Sequence, residues 1–117
     1  MAHVVGRVAD LPPGSVAYVD AGPHGVAVYN VGGEFHALSN YCPHMGAPIC
    51  RGMVSGVAEE DERGRARWTR DGEIVECPWH GWKFNIADGR SLSKPVQRIR
   101  KYTISIVDDQ VLLDTGD

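Results

Sequence analysis

Two short stretches of the chain each carry one cysteine, one proline and one histidine, and they restrict the fold more than any other feature. The first is Cys42-Pro43-His44 and the second is Cys77-Pro78-Trp79-His80. A glycine-containing loop sequence follows each of them directly. Thiols and imidazoles in two matching stretches indicate one shared metal site. The chain must therefore fold so that two loops distant in sequence meet at the same end of a sheet.

The remaining sequence predicts an all-β fold of antiparallel strands. Valine is abundant, glycine and proline interrupt short apolar segments, and the 3.6-residue period of an amphipathic helix is missing. The predicted strands are residues 4–8, 15–20, 25–30, 35–39, 53–57, 73–76, 82–86, 99–107 and 111–113. Many short strands separated by turns are typical of a β-sandwich or barrel.

Length, charge and cysteine count narrow the function further. A chain of 117 residues is expected to form one domain, residues 1–117, and its net charge of −3 argues against a general nucleic-acid binder. It has neither an apolar run of about 18 residues nor a basic, apolar secretory leader, so we expect a cytoplasmic protein that does not contact a membrane. Three cysteines are a poor disulfide framework and favour metal or redox chemistry.

Two metal centres are compatible with two thiols and two imidazoles. A structural zinc ion would bind all four in a tetrahedron, whereas a binuclear iron–sulfur cluster would divide them between two irons. The prolines and glycines of the loops favour the cluster, because stiff loops with inward-facing amides can donate hydrogen bonds to sulfides. These residues are Pro43, Gly46, Pro48, Pro78 and Gly81. The spacing alone leaves both centres open.

These motifs resemble those of the Rieske iron–sulfur family. The two stretches, continued through Gly46 and through Gly81-Trp82, match the two family loops residue by residue. Phe84 and the Asp88-Gly89 pair resemble the strand and turn that follow, and the similarity extends from about residue 15 to residue 113. The resemblance implies an antiparallel β base that carries a small cluster-binding subdomain, with loops at about residues 40–50 and 76–84.

The same resemblance implies a ligand set and a cofactor. It assigns Cys42 and Cys77 to the inner iron of one [2Fe–2S] cluster, and His44 and His80 to the outer iron near solvent. Pro95 resembles the family's proline loop, which covers a third side of the cluster. The resemblance brings no catalytic residues with it.

Two departures from related proteins are informative. Rieske proteins of respiratory complexes carry an additional cysteine in each loop, joined as a disulfide, and this chain has Ala47 and Trp79 at those places. The chain therefore resembles the soluble ferredoxin branch, for which we expect a potential in the lower part of the range of about −150 to +300 mV. The second departure is a charged insertion at about residues 57–71, interpreted as a hairpin closed near Asp71-Gly72.

The resemblance implies a one-electron carrier without catalytic activity of its own. We expect a ferredoxin that receives electrons from a flavin reductase and passes them to a terminal oxygenase acting on an aromatic or related compound, with both partners docking transiently near His44 and His80. The alternative is an accessory subunit or redox-sensing binding module in a stable complex, which could use the charged insertion as a fixed contact.

Other residues are interpreted more simply. Cys50 is expected to be a small, partly buried apolar side chain. His3, His24 and His36 are interpreted as structural, and Trp68 is expected to hold the base of the insertion against the sheet. Two interpretations stay open for the basic residues near the proline loop, namely ordinary surface charge and a docking role. These are Lys94, Arg98, Arg100 and Lys101.

Overall fold

The computed structural model describes residues 2–43, 46–79, 81–92 and 97–116. In these residues it contains nine β-strands and two short 3₁₀ helices, so the predicted all-β fold is confirmed. The strands are β1 (Ala2–Arg7), β2 (Val16–Val19), β3 (Val26–Val31), β4 (Glu34–Ser39), β5 (Met53–Glu60), β6 (Ala66–Glu76), β7 (Lys83–Asn85), β8 (Lys101–Val107) and β9 (Gln110–Asp114). The 3₁₀ helices are Val8–Asp10 and Ile49–Arg51.

Six of the described strands form one antiparallel sheet, in the order β1-β9-β8-β4-β3-β2, which curves into a nearly closed barrel. Strands β3 and β4 are joined by a tight turn at Gly32-Gly33, with Val31 opposite Glu34. Strand β8 then pairs with β4 through Ala37 and Tyr102. This long-range pairing brings the C-terminal third of the chain beside the strand that leads to the first Cys/His stretch.

Strand β3 explains how the barrel and the cluster-binding part share one interior. Five consecutive residues of this strand are buried, which is unusual for a strand with one face in water. Val26 and Val28 point into an apolar cluster with Tyr102 and Leu113 inside the barrel. The alternate residues Ala27 and Tyr29 point into a second cluster, which also contains both Cys42 and Cys77.

The remaining described strands form a three-stranded sheet in the order β5-β6-β7. Met53 pairs with Glu76, and Glu76 pairs with Lys83. These three residues stand side by side at one end of the sheet. The chain enters β5 and leaves β6 at this end, so both Cys/His stretches are brought to the same edge.

The charged segment forms a hairpin whose turn lies earlier than Asp71-Gly72. The carboxylate of Asp61 accepts hydrogen bonds from the backbone N–H groups of Arg65 at 2.8 Å and Arg63 at 2.9 Å. These bonds hold the pKa of Asp61 below its usual value. Gly64, with φ of 75°, completes the turn, and β6 then extends from Ala66 to Glu76. The predicted strand 73–76 is therefore only the end of a longer strand.

Asp71 and Gly72 belong instead to a bulge in β6. Ser55 pairs with Ile74 and Val57 pairs with Thr69, so residues 70–73 lie opposite the single residue Gly56. The Trp68 indole N–H donates to the Asp71 carboxylate at 3.0 Å, and its ring lies close to Gly56. Trp68 thus packs at the base of the hairpin, as predicted, although its side chain is 53% exposed.

No helix in the described part of the chain is long and apolar enough to cross a membrane.

Candidate metal centre

Both predicted cysteine ligands lie in the buried apolar cluster beneath the two loops. Cys42 follows β4 and Cys77 follows β6, and their relative exposures are 0% and 2%. Ile99, Phe84 and other apolar residues belong to the same cluster. All three cysteines are among the described residues, and none of them forms a disulfide.

The backbones of the two loops have the same hydrogen-bonding pattern. In the first, the Cys42 N–H donates to the Ala47 carbonyl at 2.9 Å, and the Gly46 N–H donates to the Cys42 carbonyl at 2.7 Å. In the second, the Cys77 N–H donates to the Trp82 carbonyl at 2.7 Å, and the Gly81 N–H donates to the Cys77 carbonyl at 3.0 Å. The two loops therefore close over equal lengths of chain and present their cysteines in the same local geometry.

Glycine is required at the same place in both loops. Gly46 has φ of 70° and Gly81 has φ of 69°, in the left-handed region that favours glycine. Each stands four residues after its cysteine, where the chain turns back to close the loop. The shared Cys-Pro-x-x-Gly pattern thus indicates that both loops have the same backbone conformation, even though the histidine occupies a different position in each loop.

The predicted histidine ligands lie within these loops but outside the described residues. His44, His80, Met45 and Pro95 all belong to this undescribed part. In residues 2–43, 46–79, 81–92 and 97–116, no three His, Cys, Asp or Glu side chains are close enough together to hold a metal ion. Of the predicted ligand set, the structure therefore places the two thiols.

A close backbone approach joins the end of the first loop to the start of the second. Gly52 precedes β5, and a Cβ atom at this position would overlap the carbonyl oxygen of Glu76. Glu76 is the residue immediately before Cys77. Gly52 therefore permits the contact that sets the position of one loop relative to the other, a role that was not apparent from the sequence.

Two polar side chains brace the first loop from below. The Tyr29 hydroxyl donates to the carbonyl of Ile49 at 3.2 Å, and the Asn40 side-chain carbonyl accepts the N–H of Cys50 at 2.7 Å. Burial, with a smaller contribution from Cys50, raises the pKa of Tyr29 far above its usual value, so its hydroxyl stays protonated as a donor. Neither role was apparent from the sequence. An asparagine just before a cysteine loop is the one local signal, since its side chain often bonds nearby backbone.

Aromatic rings cover the outer side of the first loop. The ring of Tyr41 stacks on His24 with centroids 4.2 Å apart, and it also lies against Gly46. His24 therefore supports the loop by ring packing.

Three other loop residues differ in burial. Trp79 in the second loop is 56% exposed, whereas Ala47 in the first loop is completely buried. Cys50 is partly buried and packs against the shared apolar cluster, as predicted.

The family model described as the Rieske [2Fe–2S] domain matches residues 1–103. The chain belongs to the Rieske family. This confirms the resemblance found in the two loops.

Relatives of this Rieske domain occur both as small proteins and within longer ones. The chain is 30% identical over 106 residues to the ferredoxin component of the naphthalene 1,2-dioxygenase system of Pseudomonas aeruginosa, covering 90% of this chain and 86% of that protein. It is 36% identical over 108 residues to apoptosis-inducing factor 3 of Mus musculus, covering 92% of this chain but only 15% of that protein.

The structural comparison agrees with the Rieske assignment. A solved structure titled as a complex of reduced oxygenase and oxidized ferredoxin in carbazole 1,9a-dioxygenase contains a chain with a TM-score of 0.74 and 27% identity. The match covers 96% of this chain and 91% of that one.

The donor atoms fit the cofactor that the family carries, one [2Fe–2S] cluster. Iron–sulfur centres require thiolate ligands, and the structure provides two cysteines in one apolar cluster at the ends of two equivalent loops. Each loop also contains one histidine. The two loops together therefore contain two thiols and two imidazoles, which is the donor set of a Rieske cluster.

Proposed function

We propose that this Rieske protein is a one-electron carrier, the ferredoxin component that passes electrons from a flavin reductase to a terminal oxygenase. The observation that carries the proposal is the pair of equivalent Cys-Pro-x-x-Gly loops above a shared buried core. The match to 86% of a dioxygenase-system ferredoxin supports it. An aromatic or related compound is the expected final substrate of the oxygenase.

We further propose that Cys42 and Cys77 bind the inner iron and that His44 and His80 bind the outer iron. The burial of both cysteines supports the inner assignment. The described neighbours of the histidines support the outer one, because Pro43, Trp79 and Gly81 are all exposed. When bound, the cluster accepts and releases one electron.

The polypeptide excludes water from the cysteine side of the site and leaves the histidine side accessible to a partner protein. Apolar residues such as Phe84 and Ile99 cover the cysteine side, and the loop residues around the histidines form the surface that a partner would meet. A carrier must dissociate after each transfer, so the interface with reductase or oxygenase is expected to be small. The solved ferredoxin–oxygenase complex supports the oxygenase as one such partner.

The proposal is tested by expressing the protein with an iron and sulfide supply and recording its visible absorption and the electron spin resonance of the reduced state. We expect a coloured protein with two irons per chain and a Rieske spectrum. His44→Cys and His80→Cys should each lower the potential or abolish the cluster. A colourless protein with stoichiometric zinc would contradict the cluster, and an unchanged spectrum and potential in either variant would contradict that ligand.

The second candidate is a Rieske module that works in a stable complex or within a larger assembly. The match to 15% of the length of a 36% identical relative favours it, because a similar domain there is part of a longer protein. Gel filtration and pull-down from the native host distinguish the two functions. A carrier should elute alone, whereas a stable stoichiometric complex would favour the module.

Three further assignments belong to this proposal. Residues 1–117 are treated as a single Rieske domain, because the barrel strand β3 and both cysteine loops contribute to one apolar cluster. Residues 57–71 are assigned to an insertion, which comprises the outer part of the β5–β6 hairpin, residues 57–69, and the first two residues of the bulge. A cytoplasmic location agrees with three cysteines that form no disulfide in the described structure.

A further inference from the structure

The charges of this chain are strongly segregated along its sequence. Residues 83–101, which directly follow the second loop, contain six lysines and arginines and one aspartate, a formal charge of +5. The rest of the chain therefore carries −8, since the whole chain has a net charge of −3. Such a segment gives a local potential opposite in sign to that of the protein as a whole.

The backbone holds two of these cations, Arg98 and Arg100, on the outer surface. Ile99 is buried beside the two cysteines, so its neighbours Arg98 and Arg100 project outwards from an extended segment. The N–H of Ser39 at the end of β4 donates to the Arg100 carbonyl at 2.8 Å, which fixes this segment against the strand leading to Cys42.

Two of the arginines lie directly opposite each other. Arg90 and Arg98 form an isolated antiparallel bridge, and both are exposed. Like charges at directly opposed positions destabilise a β pair. An anionic group from outside would relieve this repulsion. We call the four exposed cations Arg90, Arg98, Arg100 and Lys101 the basic rim.

The basic rim is not neutralised by ion pairs within the described residues. The ion pairs found there involve other residues, namely Arg7, Arg65, Arg70 and His36. The guanidinium of Arg100 instead lies 4.7 Å from the ring centroid of Tyr102. Two acids lie near the rim: Asp88 accepts the backbone N–H of Arg90 at 2.9 Å, and Glu34 lines a pocket with Lys101. Neither forms an ion pair with a rim cation among the described residues. The side-chain charges of the rim are thus available to a partner.

The rim is continuous with the first cysteine loop. A pocket of about 290 Å³ is lined by Arg98 and Arg100 on one side and by His24, Tyr41 and Pro43 on the other. Pro43 stands between Cys42 and His44. A second pocket adjoins it and connects Arg98 and Arg100 with Lys101 and Asp88. A protein that reaches the exposed end of this loop therefore also contacts the rim.

We propose that the basic rim is the docking surface for an electron-transfer partner whose own redox centre is surrounded by aspartate and glutamate side chains. The inference rests on the proposed function, because the rim matters only if electrons cross the surface beside it. Charge complementarity at the edge of an interface raises association rates and orients the partner, while adding little to affinity. This agrees with a carrier that must dissociate quickly.

The test measures how the holoprotein, reduced with dithionite, is reoxidised by anionic ferricyanide and by cationic hexaammineruthenium(III). Each reaction transfers one electron to the metal complex, and no proton or bond is transferred. Between about 10 mM and about 100 mM salt the Debye length falls from about 30 to about 10 Å. We expect the ferricyanide rate to fall about threefold or more over this range, despite the negative net charge, and the ruthenium rate to stay constant or rise.

Arg98→Gln combined with Arg100→Gln should remove the salt dependence with ferricyanide. The matched control is Arg63→Gln with Arg67→Gln, which makes the same charge change on the exposed hairpin and should leave the rates unchanged. Arg98→Gln alone should give an intermediate result, and it preserves the contact between Arg100 and Tyr102. Equal changes with both oxidants would indicate an altered driving force and would overturn the proposal.

A second readout does not depend on electron transfer. Fluorescein-labelled poly-L-glutamate, a carboxylate surface, should bind the holoprotein weakly in an anisotropy titration, and the Arg98/Arg100 double variant should lose this binding while the hairpin control retains it. Equal binding by both variants would overturn the docking surface. A protein without the cluster spectrum would instead contradict the proposed function, so the two failures are distinguishable.

Discussion

The two cysteine loops and the outer part of the β5–β6 hairpin both extend from the same three-stranded sheet, but they are built differently. Each loop is closed by backbone hydrogen bonds and anchored by a buried cysteine. The outer hairpin, residues 57–69, is a two-stranded ribbon with mostly exposed side chains, beyond the part of β6 that pairs with β7. The difference indicates that the site depends on a few backbone positions near the strand ends, whereas the charged ribbon is separable from it.

The largest effect is expected from the cysteines. Cys42→Ser or Cys77→Ser should abolish the cluster, because the loop loses one of the two thiolates proposed to bind the inner iron. Iron content and visible absorption measure this. Cys50→Ser is the matched control, since Cys50 is only partly buried and lies outside both Cys/His stretches, and it should retain the full iron content. Loss of the cluster in the control would show that the third thiol belongs to the site.

The next effect is expected at Gly52. A methyl group from Gly52→Ala would overlap the carbonyl of Glu76, which belongs to the backbone and cannot rotate away. We expect a loss of about 2–3 kcal/mol in the free energy of unfolding, with lower cluster occupancy. Gly6→Ala in β1 is the control, because its Cβ would make only an ordinary contact of 3.8 Å with Leu11. Equal denaturation midpoints for the two variants would contradict the close approach between the loops.

Some features of the fold and the site could be predicted from the sequence, and others could not. The Cys/His pairs and most strands were predictable, since ligand spacing, valine content and glycine turns are local signals. Gly52 was not, because its contact depends on the register of β5 against β6. The hydrogen bond from Tyr29 to Ile49 joins residues 20 apart in sequence and depends on β3 passing beneath the loop. The hairpin turn was misplaced because an acidic-then-basic segment has no apolar pattern to mark its strands.

The two loops themselves can be distinguished by their glycines. Gly46→Ala and Gly81→Ala both force alanine into a left-handed conformation, at a cost of about 1 kcal/mol each. Gly46 has an additional cost, because the new methyl group would lie 3.0 Å from the Tyr41 ring, whereas no atom of the described residues lies within 4 Å of the corresponding position at Gly81. Urea unfolding should therefore show a larger loss for Gly46→Ala. The reverse order would contradict the packing of Tyr41 over the first loop.

A smaller, pH-dependent effect is expected in β4, the strand that leads to the first loop. Burial and nearby Lys101 lower the pKa of His36 in the folded protein, although Glu34, 3.7 Å away, opposes this. The unfolded chain therefore binds a proton first as the pH falls, so stability is complete above about pH 6.5 and declines below it. Urea unfolding at pH 7.5 and 5.5 should show a decline in the wild type that is reduced in His36→Gln. An equal decline in both proteins would exclude His36 as its cause.

The smallest effect is expected when the outer hairpin is shortened. Glu59 pairs with Arg67, so residues 60–66 can be replaced by Asn-Gly, which forms the two-residue turn suited to an antiparallel pair. Trp68 and its hydrogen bond to Asp71 are retained, so the base of the hairpin keeps its packing. Iron content, visible spectrum and potential should be unchanged, and the free energy of unfolding should change by less than about 1 kcal/mol. Loss of iron and of visible absorption in this variant would show that the ribbon stabilises the site. The conclusion that the loops are independent of the ribbon would then be wrong.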